Sequence, residues 1–280
     1  MANIVKQNTN TNNKGLTVYI LKIVGYTLTA IVFAFFYIIS VLLVFNPRSA
    51  AKIFEVIGSD SAVTICYEQE YRKNPTNENL YNVIQQAVQT EDNDRVEKYC
   101  YQLLNSKSYT DFENEINQVF RAKVGKAKIA YVYDVDSYLT SVYVKALYSH
   151  DNKDYARQEF HLRDLQRDDH PYTISLVTYV NCFYEDENKT DEDISDFSEY
   201  FHNFKVNEKS IKEWLEEKLS VIESTEESTD GGRIFNVYTQ IKVNTCFYKI
   251  YDIFENDSQK QVYAEKIASL QTVYNDLISQ

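Results

Sequence analysis

The sequence predicts an all-α protein, with a single N-terminal transmembrane helix followed by an α-helical repeat array or helical bundle. Three observations predict it. Ile23–Phe45 is an uncharged run of 23 residues, IVGYTLTAIVFAFFYIISVLLVF. At about 1.5 Å per residue it makes a helix of about 34 Å, enough to cross a hydrocarbon core of about 30 Å. The chain holds only six Gly and three Pro in 280 residues, where usual usage gives about 20 and about 14. Sheet folds need many tight turns and turns favour these residues, so the shortage points to long helices. Lastly, apolar residues recur at helical spacing, and part of the pattern repeats after 34 residues.

Along the chain, residues 1–15 are polar and rich in Asn and Thr, without apolar periodicity, and read as a flexible tail. Residues 16–45 form the anchor, with its uncharged core at 23–45. Tyr19 and Tyr26 suit one interface, and Lys22 can snorkel to the headgroups. The run exceeds the about 7–15 residues of a cleavable signal core, so the anchor is expected to stay. Asn46-Pro47-Arg48 closes it, because a residue before proline is steered away from helix. Lys6, Lys14 and Lys22 stand against Arg48 and Lys52, a slight lean towards the N-terminus inside and the large domain outside.

Residues 46–280 form the helical domain. The whole chain carries −12 and residues 1–45 contribute +3, so this domain carries −15. Such a surface repels phosphate backbones, and no nucleic acid is expected as a partner.

Internal periodicity identifies the domain's first part. Cys-Tyr occurs at 66–67 and again at 100–101; Ala62 and Val96, and Ile53 and Ala87, share that offset of 34. Residues 77–108, NENLYNVIQQAVQTEDNDRVEKYCYQLLNSKS, supply the better unit. Leu80, Val83 and Ala87 stripe a first helix, Glu91–Asp94 turn, and Val96, Cys100 and Leu103 stripe a second. The segment resembles a degenerate tetratricopeptide repeat, with Ile84 where that family usually has glycine and Ser108 where it has proline. A preceding unit starts at Asn46, with helices Ser49–Ile57 and Asp60–Lys73 separated by Gly58. A third look-alike covers Tyr138–Leu165, after an intervening helix over Thr110–Tyr131 opened by a Thr110/Glu113 capping box. The resemblance covers about residues 46–165. It implies a concave groove for a protein or peptide, and Tyr81, Tyr99, Tyr101, Tyr138 and Tyr143 are the candidate lining residues, since tyrosine joins a buried ring to a polar tip.

Beyond it, Tyr172–Tyr184 reads as a buried helix whose β-branched content also permits a strand. Ile194–Phe204 and Ile211–Ile222 carry helical stripes. Ser224–Gly232, STEESTDGG, reads as a loop. Ile234–Phe254 is a strongly apolar helix, Asn256–Ser258 a break, and Val262–Leu277 an amphipathic cap.

No catalytic signature emerges. Cys66, Cys100, Cys182 and Cys246 make no C-x-x-C pair and sit inside apolar helical patterns, as buried thiols do. Such thiols are easier to keep in a reducing compartment, and a Cys66–Cys100 bridge between neighbouring repeats is geometrically conceivable. His150, His161, His170 and His202 form no zinc spacing; Asp164, Asp168 and His170 read as surface polar residues in a turn, with a weak metal site as the alternative. No phosphate loop, nucleophile elbow or EF-hand is present. The expectation is a single-pass, membrane-anchored, non-enzymatic interaction or scaffold module with no metal or cofactor, bound to a protein or peptide and to lipid through its first helix. A structural subunit of a membrane complex is the alternative, and an enzyme with an unrecognised helical site ranks third.

Overall fold

A computed structural model describes residues 9–124, 135–149, 156–157, 174–206 and 208–279. The chain is all-α, with twelve helices among those residues. It divides into two compact units, residues 1–86 and 87–280.

In the first unit, α1 (Thr9–Phe45) reaches back into the segment that composition leaves as a tail. Helix growth is cheap once nucleated, so the apolar run extends the helix into Asn- and Thr-rich residues of modest propensity. Residues 17–45 are long and apolar enough to cross a membrane, and nearly all their side chains are uncovered by protein. Thr27, Thr29 and Ser40 each donate their hydroxyl to the carbonyl four residues earlier, at 2.8–2.9 Å, so these three hydroxyls are satisfied within the helix.

Asn46 leaves the helical region and caps α2 (Pro47–Ile57), its side chain accepting from the Ser49 N–H. Pro47 at the first helical position needs no donor. Gly58, at φ 74°, ends α2 in the left-handed conformation that glycine adopts without strain. α3 (Asp60–Lys73) then returns antiparallel. Ala50, Ala51, Val63 and Cys66 form the core of this hairpin, and Leu42 and Leu43 of α1 pack against it with Phe54 and Tyr67. Arg48 ties the hairpin to α4 (Asn77–Gln89): it lies 3.6 Å from Glu70 and donates to Asn79 Oδ1 at 2.8 Å.

The second unit holds α5 (Asn93–Leu104), α6 (Tyr109–Val124), α7 (Val135–Ser149), α8 (Ile174–Glu185), α9 (Asp191–Asn203), α10 (Ile211–Ser224), α11 (Asp230–Ile253) and α12 (Asp257–Ser279). α7 packs between α5 and α8, and α11 is the hub that touches α8, α10 and α12. Phe183 and Phe197 stack at 4.7 Å between ring centres, with Tyr179, Phe201 and Phe254 around them, joining α8, α9 and the end of α11. Tyr109 donates to the buried Asp136 carboxylate at 2.7 Å and links α6 to α7.

The Tyr172–Tyr184 segment is a buried helix from Ile174, as expected, and not the strand its β-branched content also permits. Other local expectations change. α6 starts at Tyr109, with the Phe112 N–H bonded to Ser108, so Thr110 lies inside the first turn rather than at the cap. The loop after α10 ends at Thr229, whose hydroxyl accepts from the Gly232 N–H at 3.0 Å; both glycines are therefore helical. First-turn N–H groups need no intrahelical partner, so glycine is tolerated there. A two-residue antiparallel ribbon, β1 (Lys205–Val206) with β2 (Lys209–Ser210), links α9 to α10. The turn of the third repeat look-alike, Asp151–Asp154, and His150, His161, His170, Asp164 and Asp168 lie outside the described residues.

Candidate functional site

The five candidate tyrosines differ widely in exposure. Tyr81, Tyr99 and Tyr143 are buried, Tyr138 is at the edge of exposure, and Tyr101 is 59% exposed. Tyr101 and Tyr143 approach each other at 6.5 Å between ring centres. Tyr143 thus serves as the buried neighbour of an exposed Tyr101, and Tyr99 carries the Lys98 ammonium 4.8 Å above its ring. Burial holds the Tyr138 hydroxyl above its ordinary value, helped by Cys100.

The more structured concavity lies elsewhere in the second unit. α8, α11 and α12 enclose a groove of about 280 Å³. Val177 and Ile241 give it apolar surface, and Tyr238 and Tyr274 face each other at 6.2 Å between ring centres. Asn181, Thr245 and Gln271 supply amide and hydroxyl groups, and Lys242 and Lys249 supply positive charge.

The helical period explains the arrangement. Ile241, Lys242, Thr245 and Lys249 recur at intervals that keep them on one face of α11. Tyr238 is one turn earlier and carries the Lys242 ammonium 5.2 Å above its ring. Lys249 sits 5.0 Å above the Tyr184 ring and 3.4 Å from the Glu185 carboxylate. Both ammonium groups are therefore held at fixed positions by aromatic faces, which attract cations through the ring quadrupole. The Thr245 hydroxyl donates to the Ile241 carbonyl at 2.7 Å, which leaves its oxygen as an acceptor towards the groove.

A charged chain braces one end of this groove. Tyr184 donates to Asp252 at 2.6 Å, and Lys260 lies 2.9 Å from the other Asp252 oxygen and 3.1 Å from Asp257. The Asp252 bond pushes the Tyr184 hydroxyl up to about 12. Reciprocally, Tyr184 first and Lys260 second hold the Asp252 carboxyl below its ordinary range.

No group of three His, Cys, Asp or Glu able to hold a metal occurs among the described residues. All four cysteines are free thiols; burial pushes Cys66 and Cys182 up to about 11 and Cys246 up to about 12. A thiol so shifted is protonated and unreactive at neutral pH. Pattern reading missed the groove because Asn181, Lys242 and Gln271 are far apart in sequence. The one local signal was the i, i+7 pair of lysines on an otherwise apolar helix, within an acidic domain.

Compared with known proteins, the chain matches no family, no curated protein and no solved structure.

Proposed function

We propose that the chain is a single-pass membrane protein whose helical, tetratricopeptide-like domain is a docking module for an acidic peptide segment, seated in the groove between α8, α11 and α12. One observation carries the reading: Lys242 and Lys249 converge with Asn181 and Thr245 on a groove in a domain whose net charge is −15. A carboxylate-bearing segment gains charge-assisted bonds there, and the surrounding negative field disfavours the same acidic segment elsewhere on the domain. The anchor reading is supported by the uncharged length of α1 and by its uncovered side chains. The repeat reading is supported by burial in register: Ala50 and Ile84, and Cys66 and Cys100, are fully buried pairs 34 residues apart. The left-handed turn residues Gly58 and Glu91 lie 33 apart.

Two measurements test the proposal. Full-length chain in native membranes should resist extraction by alkaline carbonate and float with lipid; release into the soluble fraction overturns the anchor. Panning a random peptide library against the full chain in lipid nanodiscs should enrich sequences containing Asp and Glu, and the double variant K242E/K249E should abolish that enrichment. Enrichment with no charge bias, or unaffected by the double variant, overturns the docking assignment.

A further inference from the structure

We propose that α2 is an interfacial helix, whose outer face of Ile53, Val56 and Ile57 lies in the headgroup–acyl boundary of the bilayer that α1 crosses. The inference rests on reading α1 as a membrane span.

α2 is apolar over more of its circumference than its packing uses. Pro47, Ala50 and Ala51 are buried, with Phe54 on the same side, and they face α1 and α3. At about 100° per residue, Ile53, Val56 and Ile57 fall outside that stripe. Val56 is 89% exposed and Ile57 is 56% exposed. Arg48, Lys52 and Glu55 occupy the remaining polar arc. Arg48 is already engaged by Glu70 and Asn79. Lys52 is exposed, as Arg48 partly is, and no ion pair engages it among the described residues; its stem is long enough to reach a lipid phosphate.

The depth of this face follows from α1. The hairpin packs on Leu42 and Leu43, and Ile39 is buried one turn earlier. Ile39 lies six residues before Phe45, so the hairpin packs on one side of about the last 9 Å of α1. The uncharged run is about 34 Å long against a core of about 30 Å, which leaves only about 4 Å of it outside the hydrocarbon. A hairpin fastened to those last turns cannot stand clear of the membrane. It sits at the depth of about 5–10 Å at which amphipathic helices rest in the boundary. Lys73 reinforces the placement, donating from its ammonium to the Phe45 carbonyl at 3.0 Å and satisfying the end of α1 where it leaves the apolar region. Lipid is favoured over a protein occupant by size as well as position. Three side chains fall far short of the about 1,200 Å² that a specific protein interface buries.

The experiment uses the full chain reconstituted in phosphatidylcholine vesicles. Its single tryptophan, Trp214, is buried in the second unit and serves as the baseline. Val56→Trp reports on α2, Ile57→Trp duplicates it, and Phe33→Trp reports on the middle of α1. Vesicles carry lipids brominated either near the headgroup or near the chain ends. The expected result is that added emission from Val56→Trp and Ile57→Trp is blue-shifted and lost mainly to shallow bromines, while that from Phe33→Trp is lost mainly to deep ones. Loss at Phe33→Trp with none at Val56→Trp and Ile57→Trp overturns the interfacial helix and leaves the span intact. Blue-shifted emission at those two positions that ignores bromine assigns the patch to a protein and overturns it equally. No loss at Phe33→Trp removes the span and the placement of α2 with it.

Discussion

At the scale of single residues, burial decides roles that residue chemistry leaves open. Tyr81, Tyr99 and Tyr143 have the same ring and hydroxyl as Tyr101, yet only Tyr101 presents its ring to solvent. Sequence reveals that a tyrosine can serve a core or a groove; which one depends on packing partners in other helices. Ser175 is fully buried and its hydroxyl has no partner among the described residues. Ser175→Ala removes a desolvated polar group and should leave stability unchanged or raise it by up to about 1 kcal/mol in urea unfolding; a loss of that size would show that the hydroxyl is bonded. The cysteines give a pH prediction with a definite sign. The Cys246 thiol is pushed from 9.0 up to about 12, so the unfolded chain loses this proton first as pH rises. Stability from this group is complete below pH 9.0 and is lost as pH rises towards about 12, and Cys66, Cys182 and Tyr184 shift in the same direction. Urea midpoints should therefore fall across that window, and Cys246 should resist thiol reagents until the chain is unfolded.

At the scale of elements, apolar periodicity located most of the helices, because a helix buries one stripe and the stripe is written locally. The ends were less legible. α2 and α3 matched closely because Pro47, Gly58 and Asn74-Pro75 act on their own backbone. Two capping boxes, Thr190 with Asp193 and Ser210 with Glu213, are complete in both directions and mark the starts of α9 and α10. They were readable as Thr-x-x-Asp and Ser-x-x-Glu. The start of α1 was not, since polar residues there inherit helix from their neighbours. Gly58 provides the test: with φ 74° and open space around it, Gly58→Ala meets no clash and only backbone strain. The substitution should cost about 1 kcal/mol, measured as a lower thermal midpoint of the full chain in detergent. Gly58→Asn should cost less, because asparagine tolerates the left-handed region.

At the scale of the whole molecule, fold class was legible from Gly and Pro scarcity, whereas the groove was not. Its walls come from α8, α11 and α12, and α8 meets α11 only after two helices and a ribbon intervene in the chain. Such long-range pairing is set by which stripes fit together, and no local pattern encodes it. The aromatic cluster is where that pairing is fastened in the second unit. Phe197 is buried and touches Tyr179 and Phe183 of α8, Phe201 of its own helix, and Phe254 just after α11. Phe197→Ala should cost about 3–5 kcal/mol and broaden the unfolding transition of the second unit. A loss under 1 kcal/mol would mean the helices repack without it.

The junction between α1 and the first hairpin has a mechanical consequence. Asn46 separates the two helices, but its own N–H bonds back to Leu42 at 2.7 Å, Lys73 holds Phe45, and Leu42 and Leu43 are keyed into the Ala50–Cys66 core. Those contacts lie off the axis of α1 and remove the swivel that a single peptide would otherwise allow. If α1 rolls about its long axis, α2 and α3 sweep sideways through the same angle, like a crank on a shaft. Torque, and not only tension, passes across this joint.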